Sequence, residues 1–360
     1  MLLALEEEEL LKLNFFGTAG VSTVDSKEHL YRAYSFQEQG VAAGDINPYL
    51  NTVFGVKAEL IISDELSLTA QSNSVSNGSD RINSSVDWAY LKYETPYDLA
   101  IRAGLFPLPL FSTSELTYVG YARTYVRPAL PFYRVTGLED FSGLDFIYST
   151  YYGYYDITLR ASYGKSVATL PDMANGTKVE SKTDNLKIVS IKAENDYISI
   201  GLTYFNNTGE LTLTDPNTHI SGKIEGELEF FSLEFKADYK NIIIEGGVVS
   251  GRIDSSLPDE SSGYVSFAYP VDEFTPYYLY STRILDPKEN PFGPPGSTAE
   301  ENQQKTHSLG LRYDIYQGVA LKAQFDRFDL KAGTPALAIA TQASDKEAVH
   351  AISFTVDVAF

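Results

Sequence analysis

The residues of this chain that could do chemistry are fixed charges rather than nucleophiles. The stretch 106–140 carries Glu115, Arg123, Arg127, Arg134, Glu139 and Asp140. Because the two acids at 139 and 140 sit at its exit, the body of the stretch is net basic. Arg102, Arg160, Lys192, Arg312 and Lys322 lie outside it, each in a segment of alternating apolar and polar residues. Charges of this kind attract or repel ions and pair with carboxylates, but break no bonds by themselves. The groups that bond-making needs are scattered or missing. His29, His219, His307 and His350 are far apart and never in HExxH spacing. There is no GxSxG elbow, no GxxxxGK phosphate loop, and no cysteine for redox or metal work. The expectation is no enzyme, no cofactor and no metal site, with acidic loops such as 251–262 and 286–301 read as solvated.

Period-2 alternation places these charges on sixteen candidate strands. They fall near 10–24, 50–62, 65–75, 83–94, 98–105, 141–151, 155–164, 185–194, 197–206, 223–239, 242–250, 263–269, 277–284, 305–313, 319–326 and 348–360. In YDLAIRAGL (97–105), Leu99, Ile101 and Ala103 share one face, which turns Arg102 to the other. The same parity turns Arg160, Lys192, Arg312 and Lys322 inward, together with Asp156, Glu194, Asp314 and Asp326. For Arg160 and Arg312, pairing with a neighbouring wall carboxylate is an equally good reading.

The connections alternate in length. Eight are long (25–48, 76–82, 106–140, 165–184, 207–222, 251–262, 285–304 and 327–347) and seven are tight turns, such as those at Ser63-Asp64 and Lys240-Asn241. That segregation puts every long loop at one end of an up-and-down sheet, the asymmetry of a transmembrane barrel. None of the 16 prolines falls inside an expected strand. Aromatics crowd the tight-turn end, among them Tyr93, Tyr97, Tyr151, Tyr152, Tyr154, Tyr197, Tyr239, Phe274, Tyr277 and Tyr316. Rings at that level read as a girdle at a membrane interface. The chain ends AISFTVDVAF, in which Ile352, Phe354, Val356, Val358 and Phe360 share one face. No run of 18 apolar residues would make a transmembrane helix, and a net charge of −20 argues against nucleic acid as a partner.

The expected fold is therefore all-β, a transmembrane antiparallel up-and-down barrel of about sixteen strands spanning 10–360, with 1–9 as a signal remnant or an appended start. The 35-residue loop 106–140 is too long and too aromatic to be a plain connection. It is expected to fold into the lumen as a constriction, the other possibility being an outer cap or subunit contact.

The topology, LNFFGTAGVST (13–23), which is similar to the opening strand of many porins, and the terminal Phe360 together resemble the Gram-negative outer-membrane porins. The stretch 105–148, beginning LFPLPLFSTSELTYVGYARTYV, resembles the third-loop region of one proteobacterial porin group. The resemblance implies an outer-membrane location, a homotrimer, a third loop narrowing the pore, and recognition of Phe360 by the barrel-assembly machinery. The eyelet motif of the general porins is not evident in 106–140, which leaves pore width open. The expected function is a water-filled channel for passive diffusion of small hydrophilic solutes and ions. Its selectivity would rest on Arg102, Glu115, Arg123, Arg127, Arg134, Arg160, Lys192, Arg312 and Lys322, with a weak preference for anions. The alternatives are a narrow substrate-specific channel, or a barrel that serves as an adhesin or partner scaffold without bulk conductance.

Overall fold

The terminal strand Ala348–Ala359 shows how the sequence makes the architecture. Ile352, Phe354 and Val356 are exposed, while Ser353, Thr355 and Asp357 between them are buried. A strand whose apolar side faces out and polar side faces in can be stable only where the outside is not water. The same inversion recurs in Val319–Leu330, where Leu321 and Phe325 are exposed and Lys322, Gln324 and Asp326 are buried.

In the computed structural model, sixteen antiparallel strands of the described residues close into a barrel. The structure describes residues 10–26, 29–34, 37, 40–133, 138–173, 177–214, 221–254, 259–286, 302–330, 338–340 and 348–360. The barrel closes where Leu11–Val24 pairs with Ala348–Ala359, in a register that runs from Phe16↔Ala359 to Val24↔Ala351. Phe15 N–H donates to the Phe360 carbonyl and Phe360 N–H donates to the Phe15 carbonyl, both at 2.8 Å. At the far end a short pair, His29–Tyr31 with Ala338–Ala340, joins the first and last long connections.

All sixteen expected strands are present, within a few residues at the tight-turn end. There the turn at Lys240-Asn241 has φ of 51° and 63° at its two central residues, the geometry of a type I′ hairpin. The long-loop end differs. Tyr155–Met173, Thr177–Glu194, Ile198–Thr214 and Ser221–Tyr239 run for 17 to 19 residues, so the expected loops 165–184 and 207–222 are largely strand. A membrane needs only about 9–11 residues per strand. The excess carries polar side chains on both faces, Glu180, Lys182 and Asp184 on one and Ser181 and Thr183 on the other, and leaves no apolar alternation to read.

Two further expectations are corrected. Pro107, Pro171 and Pro276 lie within strands, Pro107 and Pro276 close to strand ends. The girdle holds for Tyr97, Tyr151, Tyr152 and Tyr154, which are among the most exposed aromatics, but Tyr277 is buried on the inner parity. Its hydroxyl donates to Gln324 Oε1 at 2.8 Å. Residues 1–9, most of the acidic stretch 286–301 and His219 lie outside the described residues.

At the long-loop rim, His350 N–H donates to Asp25 Oδ1 at 2.8 Å, and its ring Nδ1 lies 2.6 Å from Oδ2. Burial is the largest single influence and raises the Asp25 value, but the hydrogen bonds and charge of His350 together outweigh it and hold the carboxyl below its ordinary 3.8. A depressed acid stabilises the fold above its free value, and that contribution disappears as pH falls through the lower folded value. The difference in thermal unfolding between wild type and Asp25→Asn is therefore expected at neutral pH and should shrink as the medium is acidified below 3.8.

Candidate functional site

The segment between Leu99–Pro107 and Asp140–Tyr152 carries most of the residues singled out by sequence. It contains two single-turn 3-10 helices, Ser114–Leu116 and Gly120–Ala122, and one short α-turn, Leu130–Tyr133. None is long enough to stand alone, so its shape comes from what it touches. On one side Phe106, Leu108, Leu110 and Phe132 join Leu186, Ile188, Phe205, Phe230 and Val249 in a single buried cluster. Phe132 lies 4.7 Å from Phe111 and 4.8 Å from Tyr264, centroid to centroid. Each large side chain removed from water in this way contributes about 1.5–3 kcal/mol.

On the other side the anchors are polar. Arg127 Nη1 donates to Asn51 Oδ1 at 2.9 Å, and Nη2 to Asp326 Oδ2 at 3.1 Å and Ser353 Oγ at 2.6 Å. Lys322 Nζ donates to the carbonyls of Gly120 and Tyr125 at 2.8 and 3.3 Å, and pairs with Asp357 Oδ2 at 3.0 Å. Arg312 pairs with Asp314 and also donates to the carbonyls of Tyr121 and Arg123, at 2.8 Å each. Gly120 is required by its closeness to the wall. A Cβ there would lie 2.1 Å from Asp357 Oδ1 and 2.3 Å from Thr18 Oγ1. The Ser112 N–H donates to Glu234 Oε2 at 2.7 Å, which fixes the first part of the segment to a third stretch of wall. Burial pushes the phenols of Tyr118 and Tyr125 well above their usual range, so both stay protonated. Tyr118 uses its proton to donate to Glu139 at 3.0 Å.

A separate cluster stands where the segment leaves the wall. Asp145 is wholly buried and lies directly opposite Arg102 across the ladder. Its Oδ2 accepts from Arg102 Nε and Nη2 at 2.8 and 2.5 Å, and its Oδ1 from Arg160 Nε and Ser162 Oγ at 2.7 and 2.6 Å. The outer edges of both guanidiniums then converge on Glu115 Oε1, at 3.2 Å from Arg102 Nη2 and 3.3 Å from Arg160 Nη1. Arg102 is further held flat by Tyr90 and Phe106, whose rings lie 4.9 and 5.2 Å from its guanidinium carbon.

The expected selectivity residues are thus brought near one segment, yet mostly as paired charges. Arg102, Arg123, Arg127 and Lys322 are buried. Arg123 bonds to the Thr117 carbonyl and, among the described residues, to no carboxylate. Arg160 and Arg312 do pair with neighbouring wall acids, the reading held equally good from sequence. Lys192 stands apart, in a part-exposed pair with Glu194 at 2.7 Å. Arg134 lies outside the described residues. Sequence reasoning missed Asn51, Asp145, Glu234, Gln324 and Asp357. Asp145 was within reach, because parity places it on the same face as Arg102 in the next strand.

No protein-family model and no curated protein matches the chain. Solved structures do. An anion-selective porin from Comamonas acidovorans aligns with a TM-score of 0.64 at 10% identity, covering 97% of this chain and 100% of that one. The trimer form of OmpT, an outer membrane protein of Vibrio cholerae, aligns with a TM-score of 0.60 at 13% identity, covering 98% and 100%. The outer membrane channel DcaP of Acinetobacter baumannii aligns with a TM-score of 0.56 at 10% identity, covering 97% of each chain. The chain has the outer-membrane porin fold.

Proposed function

We propose that this barrel is an outer-membrane channel for passive diffusion of small hydrophilic solutes and ions, without enzymatic activity. The observation that carries the reading is the inverted wall: apolar residues outside, and a buried lattice of Ser, Thr, Asn, Gln and ion pairs inside. In this reading the segment 108–133 crosses the lumen and narrows it. Its partners Glu234, Lys322, Asp326 and Ser353 all belong to the parity opposite the exposed apolar side chains, and Asn51 is buried in the turn before Val53–Ile61. The channel prefers anions weakly. Arg102, Arg127 and Lys322 each face a carboxylate, while Arg123 meets none among the described residues. The test is the reversal potential of the refolded protein across a KCl gradient. A cation-signed value would refute the anion preference, and impermeability to small neutral sugars in liposome swelling would refute diffusion.

We also propose a homotrimer, as in the trimer form of OmpT, with Phe360 presented to the barrel-assembly machinery. The outer faces of Leu66–Ser76 and Ile82–Glu94 support self-association, because they carry Ser72, Ser74 and Ser84 where the rest of the wall has Leu, Ile, Phe and Tyr. Ser74 and Ser84 bond to each other at 2.8 Å, and Ser72 donates to the Ser85 carbonyl at 2.9 Å. Small, hydroxyl-bearing surfaces suit close protein packing better than lipid. The double substitution Ser74→Phe, Ser84→Phe is expected to give folded monomers by light scattering in detergent. Unchanged trimers would move the interface elsewhere.

A further inference from the structure

We infer that Arg102 and Arg160 form a binding site for small carboxylate solutes, and that Glu115 is its exchangeable internal occupant. The inference rests on the channel reading and gives it a substrate class. Asp145 is enclosed and takes four donated hydrogen bonds, so it belongs permanently to the wall and neutralises one of the two guanidiniums. Among the described residues the remaining positive charge is met by Glu115, through a single oxygen that both arginines share at longer distances. Two planar guanidinium edges aimed at one oxygen are a geometry for receiving a carboxylate, since such edges bond it bidentately.

Three features make Glu115 the part that leaves. Its side chain is 36% exposed, against 0% for Asp145. It sits on the single-turn helix Ser114–Leu116, whose N-cap residue Thr113 makes no side-chain capping bond. The neighbouring anchors, Ser112 on Glu234 and Lys322 on the Gly120 carbonyl, fix the segment on either side without using Glu115. Arg160 also keeps a donor in hand, because its Nη2 is buried with no hydrogen-bond partner. A solute carboxylate that displaces Glu115 would find that donor beside the two already converging there. Neither arginine has to move to receive it, as both are held by Asp145 and Arg102 also lies against the stacked rings of Tyr90 and Phe106.

The probe is succinate, with neutral succinamide as its control, titrated calorimetrically into the full-length detergent-solubilised barrel. Glu115→Gln should raise succinate affinity about tenfold or more, the worth of one charge-assisted hydrogen bond no longer competing. Glu115→Ala should do the same, and adding Arg160→Gln to either should abolish the gain. Equal succinate affinity in wild type and both Glu115 variants would overturn the inference, as would equal binding of succinamide. Calorimetry needs no ion flow, so it decides the site even if bilayer recordings reject the channel. If the channel holds, succinate should interrupt the open current more in Glu115→Gln than in wild type.

Discussion

Replacing Arg127 with alanine is expected to loosen the segment 108–133 from the wall, raise single-channel conductance and lower the unfolding temperature of the barrel. Arg127 is enclosed, and its guanidinium lies 4.7 Å from the ring of Tyr31 while bonding Asn51, Asp326 and Ser353 at once. Removal leaves Asp326 buried, supported by Ser308 and Gln324 at 2.5 and 2.7 Å but without a counter-charge. Breaking a buried pair in this one-sided way typically costs about 3–5 kcal/mol. Calorimetric or heat-modifiability melts measure that loss, and bilayer recording measures the conductance. The double variant Arg127→Ala, Asp326→Asn removes the orphaned charge. It should recover much of the stability while keeping the larger conductance, because the segment has still lost its tether. An unchanged conductance in both variants would mean that the segment is not what narrows the lumen.

The second large effect is expected at Lys322. This ammonium joins the segment to the closing strand, holding two loop carbonyls and Asp357 from a fully buried position. Lys322→Met preserves the volume and removes all three contacts. Asp357 would keep Thr18 Oγ1 at 2.6 Å but no cation, at a cost of about 3–5 kcal/mol. Exchange of backbone amides should then accelerate around 118–126 before it does in the barrel strands, since the two loop carbonyls lose their donor. Lys322→Met with Asp357→Leu tests the division of roles. A buried pair replaced by apolar residues is often neutral for stability, so this double variant should unfold near the wild-type temperature yet keep the mobile loop. Slow exchange at 118–126 in either variant would show that the apolar cluster around Phe132 holds the segment by itself.

The barrel was readable because a membrane imposes a strict rule on each strand. Where lipid lies outside and polar groups lie inside, Leu99, Ile101 and Ala103 can alternate with Arg102 in only one way, and the terminal strand states the same rule at Ile352–Val356. Tight turns were readable for a related reason, as Lys240-Asn241 must reverse the chain in two residues. The rule stops at the membrane edge. Beyond it, segments such as 180–184 pair as strands with polar side chains on both faces, and period-2 reading mistakes them for loops. Tyr277 shows a second limit: at the turn end the same residue type serves as an outward girdle ring or an inward hydrogen-bond donor, and composition does not separate them.

The charges of the loop were legible as a set but not as pairs. Arg127 finds Asp326 across 199 residues and Lys322 meets the Gly120 carbonyl across 202. Only barrel closure brings those partners together. Their pairing also changes what the charges do. Most of the arginines and lysines that read as a selectivity ring are tethers whose charge is spent on wall carboxylates, which is why the proposed anion preference is weak. Glu115 reads from sequence as an opposing charge in a basic loop; the geometry makes it the occupant of an arginine fork.

Whether a water-filled path crosses this barrel is read out by planar-bilayer recording of the purified, refolded protein. Discrete current steps are expected, grouped in threes for a trimer, and larger in Arg127→Ala. A correctly folded, heat-modifiable barrel that inserts but passes no current would contradict this expectation, and would leave the protein as a scaffold whose function lies in its loops.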